Sequence, residues 1–358
     1  MRKFNPALAV FLAIVMIVAG AVGGFIGYTV LNPLEGQVYS NGALQVHFLE
    51  LGNKYIGDCT YIKAGETDIL IDAGSKTSSI PTITEYIDQY VTDGILEYVI
   101  VTHAHEDHYA GFATNENTDS IFDLYVCEVI IDFAQTNQKA DAQMYSNYVR
   151  EREDEIANGA VHYTAKECID QEMEVFEVAK GVTMTILDQK YYHEKASEEN
   201  DHSVCTLLTY GEDNILLTGD LEKDGELSLI EENDLPKVTL YKAGHHGSKT
   251  STSQELMSVI QPEIVCVCCC AGSTEHKANP ENRFPSQNFV DNVAPYTDKV
   301  YVTTLMVDYS NAEYTSLNGN ITVSFTRKGV TVACSASDLK LKDTEWFKNN
   351  RTCPDAWK

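Results

Sequence analysis

The chain has 358 residues, 44% hydrophobic and 22% charged, globular proportions that exclude a largely disordered protein and leave room for one domain or two. Its formal net charge of −27 repels phosphate backbones, so sequence-independent binding along nucleic acid would need a local basic patch or bound cations.

At the start, Arg2 and Lys3 precede a stretch, 7–31, without a charged side chain, long enough as a helix to cross a hydrocarbon core of roughly 30 Å. It reads as one transmembrane anchor. A cleaved signal peptide is the rival, since Ala19-Gly20-Ala21 resembles a small-residue cleavage site, but the apolar run continues well beyond it. The basic residues before the helix and the acidic sequence after it place the N-terminus in the cytoplasm and the bulk of the chain outside, as a single-pass protein of the cell membrane. Gly20 with Gly24, and Gly23 with Gly27, form small-xxx-small pairs, read either as the seam of a helix-mediated homodimer or as glycine-tolerant membrane helix.

From Leu44 onward, short β-rich runs alternate with polar turns: LQVHFLELG, CTYIKAG and DILIDAG predict strands, 80–90 a helix, and ILEYVIV a further strand. Between Phe112 and Asn200 the pattern is weaker, with strands at YVCEVIIDF and VTMTILD and a charged helix over 140–157. Strands SVCTLLTYG and NILLTGD follow, then a helix (KDGELSLIEEN), a strand (VTLYKAG), a helix (SQELMSVIQ) and a cysteine-rich strand (EIVCVCCCAG). Two batches of alternating strands and helices predict an α/β, αββα sandwich. The expected organisation is 1–37 as cytoplasmic stub and anchor, 38–337 as the folded domain, and 338–358 as a polar C-terminal tail with aromatic anchors.

Ten cysteines show no zinc-ribbon spacing. Cys266, Cys268 and Cys270 share one face of the predicted strand by its period of two, so they are expected as buried free thiols rather than a disulfide framework.

The segment VTHAHEDHYAG gathers His103, His105, Asp107 and His108 directly after an apolar strand, and only ten histidines exist in the chain. Imidazole and carboxylate donors without thiolate suit zinc, manganese or iron, and an incomplete donor set leaves room for water on the metal. Downstream, Gly219-Asp220 in LLTGD reads on its own as a hairpin turn. The pair His245-His246, followed by Gly247-Ser248, reads as a capping loop with two imidazoles more than a cap requires. His47, His162 and His193 have no supporting context.

HxHxDH after an apolar strand resembles the signature of the metallo-β-lactamase fold. ENDHSVCTLLTYGEDNILLTGDLE and KAGHHGSKTSTS are similar to the metallo-β-lactamase domain of competence-type DNA-uptake channel proteins and its stand-alone relatives. The resemblance runs from about Leu44 to Phe325, with Asp72 near the site at a strand end and Gly57-Asp58 in the preceding turn. It implies two divalent metal ions, zinc or manganese, with His103, His105, Asp107, His108, His202, Asp220, His245 and His246 as the candidate ligands. Asp220 matches the bridging carboxylate, and one of His245 and His246 the last ligand of the second metal. His202 stays open between ligand and loop residue. Where such relatives carry a Gly-His-Pro turn this chain reads NRFPSQ, with His276 nearby.

The implied chemistry is hydrolysis by a metal-bridged hydroxide, with Asp107, Asp220 and His246 as the catalytic set. The expected substrate is a small-molecule or nucleic-acid phosphodiester outside the membrane, making the chain a phosphodiesterase or nuclease. The same site could open a lactone, thioester or amide instead, and a non-catalytic metal-bound module of a membrane assembly is the third reading. Lys249 reads as a phosphate contact or a solvated loop lysine.

Overall fold

The computed structural model describes residues 44–114, 118–273, 275, 279–308 and 313–358. The expected membrane helix at 7–31, and His276, lie outside the described residues. No helix among the described residues is long and apolar enough to cross a membrane.

The described strands, in chain order, are β1 Leu44–Phe48, β2 Thr60–Ala64, β3 Thr67–Ile71, β4 Ile95–Val101, β5 Val126–Asp132, β6 Val161–Thr164, β7 Val175–Ala179 and β8 Val182–Leu187. They continue with β9 Cys205–Tyr210, β10 Asp213–Leu217, β11 Leu240–Lys242, β12 Ile264–Ala271, β13 Val300–Asp308, β14 Glu313–Ser316, β15 Ile321–Thr326 and β16 Gly329–Cys334. They form two eight-stranded sheets, ordered β16-β15-β1-β2-β3-β4-β5-β6 and β14-β13-β12-β11-β10-β9-β8-β7.

Both sheets are mixed. Parallel neighbours need a crossover, and most of those here run through a helix of seven residues or more. Ile80–Ile87 links β3 to β4 and Gln143–Asn158 links β5 to β6, while Lys223–Glu232, Gln254–Ile260 and Gln287–Val293 join β10, β11, β12 and β13 in turn. The parallel strand β12 is buried along its whole length, as expected of a strand covered on both faces. Val265, Val267, Cys269 and Ala271 pack in one cluster with Leu229, Leu256, Met257, Phe289 and Val293, residues of the helices. Cys266, Cys268 and Cys270, absent from that cluster, are buried free thiols.

The segment 338–358 is short helical turns rather than extended chain, and its Leu341, Trp346, Phe347 and Trp357 are buried in the same cluster. Its polar composition conceals this because only these spaced apolar side chains face inward; Trp357 Nε1 donates to the Thr297 carbonyl at 2.8 Å.

Strand direction makes one edge of the two sheets special. β3, β4, β10 and β11 all end there, and their antiparallel neighbours β2 and β9 begin there, so the loops leaving or entering these strands converge. The two sheets are tied at this edge by Val204 N donating to the Thr102 carbonyl at 2.8 Å. In open α/β sheets, the carboxyl ends of parallel strands are where ligand sites form.

Candidate metal centre

Each donor at this edge arrives by a strand end. Asp58 precedes β2, Asp72 follows β3, and Thr102 through His108 follow β4; Ser203 precedes β9, Asp220 follows β10, and His245 and His246 follow β11. The β4 loop is fixed by close backbone packing. Asp58 N donates to the Asp107 carbonyl at 3.1 Å, Gly74 N to the Asp58 carbonyl at 2.9 Å and Ala73 N to the His108 carbonyl at 2.8 Å. A Cβ at Gly74 would sit 1.5 Å from the Asp107 carbonyl oxygen, so only glycine permits this approach.

His108 and His246 face a common carboxylate. Their Nε2 atoms lie 3.2 and 3.1 Å from Asp220 Oδ2, and Asp107 Oδ2 is 3.4 Å from His246 Nε2. His103 Nε2 and His105 Nδ1 converge to 3.0 Å beside them, with the His103 and His108 rings 4.2 Å apart. Thus His103, His105, Asp107, His108, Asp220 and His246 are brought together.

The far sides of the rings are also held. His108 Nδ1 is 2.7 Å from Asp72 Oδ2, and Asp72 in turn accepts from Thr102 N and Thr102 Oγ1, each at 2.8 Å. His246 Nδ1 donates to the Cys268 carbonyl at 2.9 Å and stands 3.3 Å from Asp58 Oδ1. Asp58 is paired with the buried ammonium of Lys242, which also donates to the Gly219 and Ala243 carbonyls at 3.3 Å. Ser203 Oγ accepts from Asp220 N at 3.1 Å and lies 3.4 Å from His103 Nδ1.

The two other expected ligands are placed differently. His202 is buried with its Nδ1 3.4 Å from the Tyr191 carbonyl and its Nε2 without a hydrogen-bond partner. His245 turns away from its neighbour, both residues having positive φ (45° and 54°), so that its Nδ1 meets Glu222 Oε1 at 3.2 Å and Thr250 Oγ1 at 3.1 Å. Lys249, like Glu222 and Thr250, lines a separate polar cleft. His47 is packed among Tyr61, Tyr86 and Tyr90, while His162 pairs with Asp132 and His193 with Asp188.

The electrostatics suit a cation. Burial, helped by the His108 and His105 charges, holds His103 well below the usual imidazole value, leaving a neutral ring with a lone pair. Burial alone would lower His108 and His246, but Asp220 beside both, with Asp72 on one and Asp58 on the other, pushes each well above it. Burial would raise Asp220, yet the two imidazoles hold it well below the carboxylate range.

The residues fit a divalent ion on a direct observation: His108 Nε2, His246 Nε2 and Asp220 Oδ1 are buried atoms without a hydrogen-bond partner. Buried polar atoms are rarely left so, and here they face one another. Ligand atoms of Asp58, His108, Asp220 and His246 lie within 4.8 Å of one another. Asp58, however, meets His246 on the Nδ1 side, opposite the Nε2 that faces Asp220, so the two carboxylates cannot serve the same face of that ring. The sequence pointed to most donors through HxHxDH and LLTGD; it missed Lys242 and Ser203, whose one signal was a charged or hydroxyl residue at an otherwise apolar strand end.

These residues open onto a cleft of about 610 Å³ lined by His105, Asp107, Asp220, His245 and His246 together with Lys76, Tyr109, Gln138, Tyr145 and Phe284.

Residues 52–114 match the model of the Metallo-beta-lactamase superfamily. "Recombination protein 2" of Haemophilus influenzae is 31% identical over 127 residues, 36% of this chain. "ComE operon protein 3" of Bacillus subtilis is 32% identical over 113 residues, 30% of this chain. Each aligned stretch spans 14% of the relative's own length. Among solved structures, the metallo-beta-lactamase fold protein YhfI from Bacillus subtilis aligns at 11% identity over 72% of this chain and 95% of that one, with a TM-score of 0.40. A diphosphatase from the PhnP family aligns at 10% identity over 62% of this chain and 85% of that one, with a TM-score of 0.34. The superfamily match covers the part of the chain that holds Asp58 and His108, and these close with Asp220 and His246 into a buried group whose ligand atoms could hold a metal ion.

Proposed function

We propose that the chain is a phosphodiesterase using two divalent ions, zinc or manganese, on an extracytoplasmic domain anchored by the helix at 7–31. The observation that carries this reading is Asp220: its carboxylate faces the Nε2 atoms of His108 and His246, with the convergent His103–His105 pair on the adjoining ring face. In it, His103, His105 and Asp220 would hold one ion, and Asp107, His108, Asp220 and His246 the other. Bound there, the ions would polarise a phosphoryl oxygen and ease deprotonation of water.

The chain's own groups do the rest. Asp72 and Asp58 orient the imidazoles from behind, a form of outer support that raises ligand basicity and fixes the ring. Lys76, Gln138 and His245 offer donors to non-bridging phosphate oxygens, and Tyr109, Tyr145 and Phe284 give apolar walls for the organic substituents. The resemblance of ENDHSVCTLLTYGEDNILLTGDLE and KAGHHGSKTSTS to DNA-uptake proteins supports a nucleic-acid diester as the larger substrate. The acidic chain then needs its bound cations to admit a phosphate, which ties binding to metal loading.

The test is elemental analysis of the purified chain, followed by hydrolysis of bis(4-nitrophenyl) phosphate and a dinucleotide against a lactone and a thioester, with manganese or zinc added. Two ions per chain and diester cleavage are expected. Cleavage of the lactone or thioester alone would overturn the phosphodiesterase reading, and absence of metal would overturn the site.

A further inference from the structure

His103 and His105 are joined by one residue, Ala104, which is wholly buried. Their rings meet edge to face, 4.8 Å apart at 80°, with His103 Nε2 and His105 Nδ1 converging to 3.0 Å. That convergence depends on how the peptide groups of Ala104 are set. β4 ends at Val101, and beyond it side chains take over both groups: Glu199 Oε1 accepts from Ala104 N at 3.2 Å, and Gln138 Nε2 donates to the Ala104 carbonyl at 2.7 Å.

The two side chains are themselves linked. Glu199 Oε2 accepts from Thr136 Oγ1 at 3.1 Å and from Asn137 N, and Thr136 Oγ1 in turn accepts from Gln138 N at 2.9 Å, so the circuit begins and ends on Ala104. Glu199 is 6% exposed, in the helical turn Glu199–His202 ahead of β9. The chain leaving that turn runs beside the β4 loop: Ser203 Oγ lies 3.4 Å from His103 Nδ1, and Val204 N donates to the Thr102 carbonyl at 2.8 Å. Thr102, His103 and Ala104 are thus held in succession by one segment leading into the second sheet. Asp107 and His108 are fixed by different partners, their carbonyls accepting from Asp58 N and Ala73 N.

We propose that Glu199 is a positioning residue for the ion assigned to His103, His105 and Asp220, acting through the Ala104 peptide and not on the other ion; this rests on the two-ion reading above. Without the carboxylate, the buried Ala104 N–H loses the acceptor it has in Glu199. A buried donor is rarely left unpaired, so the peptide turns toward another acceptor and the two imidazoles part. Outer partners of this kind change metal affinity by about 10- to 100-fold.

The experiment titrates zinc, against a chromogenic chelator, into the chelator-treated wild-type chain, Glu199→Ala, His105→Ala and the double variant, with folding followed by circular dichroism. Glu199→Ala is expected to bind one equivalent as the wild type does and the second about 10- to 100-fold more weakly. His105→Ala loses one equivalent, and adding Glu199→Ala to it leaves the affinity of the remaining ion unchanged, because both changes act on the same ion. Asn137→Ala removes side-chain bonds to the Ala196 and Ser197 carbonyls but keeps the circuit, and it binds both equivalents as the wild type does. Should Glu199→Ala not fold, Glu199→Gln, with one oxygen left for donors on two sides, takes its place. Wild-type affinity for both ions, equal weakening of both, a further loss in the double variant, or the same loss in Asn137→Ala overturns the inference alone. A wild-type chain that takes up fewer than two ions, or a His105→Ala chain that loses both or neither, overturns it together with the reading on which it rests.

Discussion

Lys242→Met removes the ammonium that neutralises Asp58 beneath the candidate metal centre. Lys242 and Asp58 are both nearly inaccessible, with side chains 4% and 1% exposed, so no water can take over the pairing. Breaking such a pair by removing one partner costs about 3–5 kcal/mol, because the survivor is left as an uncompensated buried charge. A domain of this size shifts its midpoint by about 2–4 °C per kcal/mol, so a fall of roughly 6–20 °C in the metal-free protein is expected. The same change frees Asp58 from its place 3.3 Å from His246 Nδ1, and loss of such outer support weakens metal affinity by about 10- to 100-fold. Calorimetric melting of chelator-treated protein gives the first quantity and competition with a chromogenic chelator the second. Lys242→Met together with Asp58→Asn removes both charges and should recover much of the stability but not the metal affinity. Melting and affinity both at wild-type level in Lys242→Met would refute the argument that this pair supports the site.

Gly74→Ala should lower metal content and soluble yield together, since its Cβ would collide with the Asp107 carbonyl; a well-folded, fully loaded variant by circular dichroism and elemental analysis would contradict the packing argument. His47, packed among Tyr61, Tyr86 and Tyr90, is held neutral by burial with its pKa lowered to about 4. The unfolded chain binds a proton below about 6.5, so stability is lost as pH falls from there to about 4, by about 3 kcal/mol at about 1.4 kcal/mol per unit. Urea titrations between pH 7 and 4 should show this limb flattened in His47→Gln, and identical slopes would refute the assignment. Burial pushes the Cys266, Cys268 and Cys270 thiols up, so they should resist labelling in the native protein; rapid modification of any of them would show that the strand is accessible.

The sequence was most legible where a local pattern and its destination coincide. HxHxDH closes a strand and its four candidate donors, three imidazoles and a carboxylate, stay within one loop, so the loop could be read without knowing the fold. The strands β4, β9, β10 and β12 announce themselves by mostly apolar runs because they are interior. The edge strands β6 and β7 carry exposed Val161 and Val175 and lack that signal. Lys242 was hidden because a lysine at a strand end looks solvated until the facing carboxylate, Asp58, is brought up from a loop far away in sequence. The choice between His245 and His246 was likewise unreadable, since two left-handed residues decide it and neither is glycine. For His202, its position just before β9 offered a ligand, yet the helical turn Glu199–His202 directs the ring to the Tyr191 carbonyl and places Ser203 beside His103.

The central claim is that Asp220 joins two ions in one hydrolytic site. Its most direct test is metal titration of the chelator-treated chain and of Asp220→Ala, with bis(4-nitrophenyl) phosphate turnover followed at each addition. The account predicts that wild-type activity appears with the second equivalent. It predicts that Asp220→Ala, still folded by circular dichroism, holds at most one ion tightly and is slower by about a thousandfold or more, corresponding to about 4 kcal/mol of lost transition-state stabilisation. Two tightly bound ions and a wild-type rate in Asp220→Ala would contradict it.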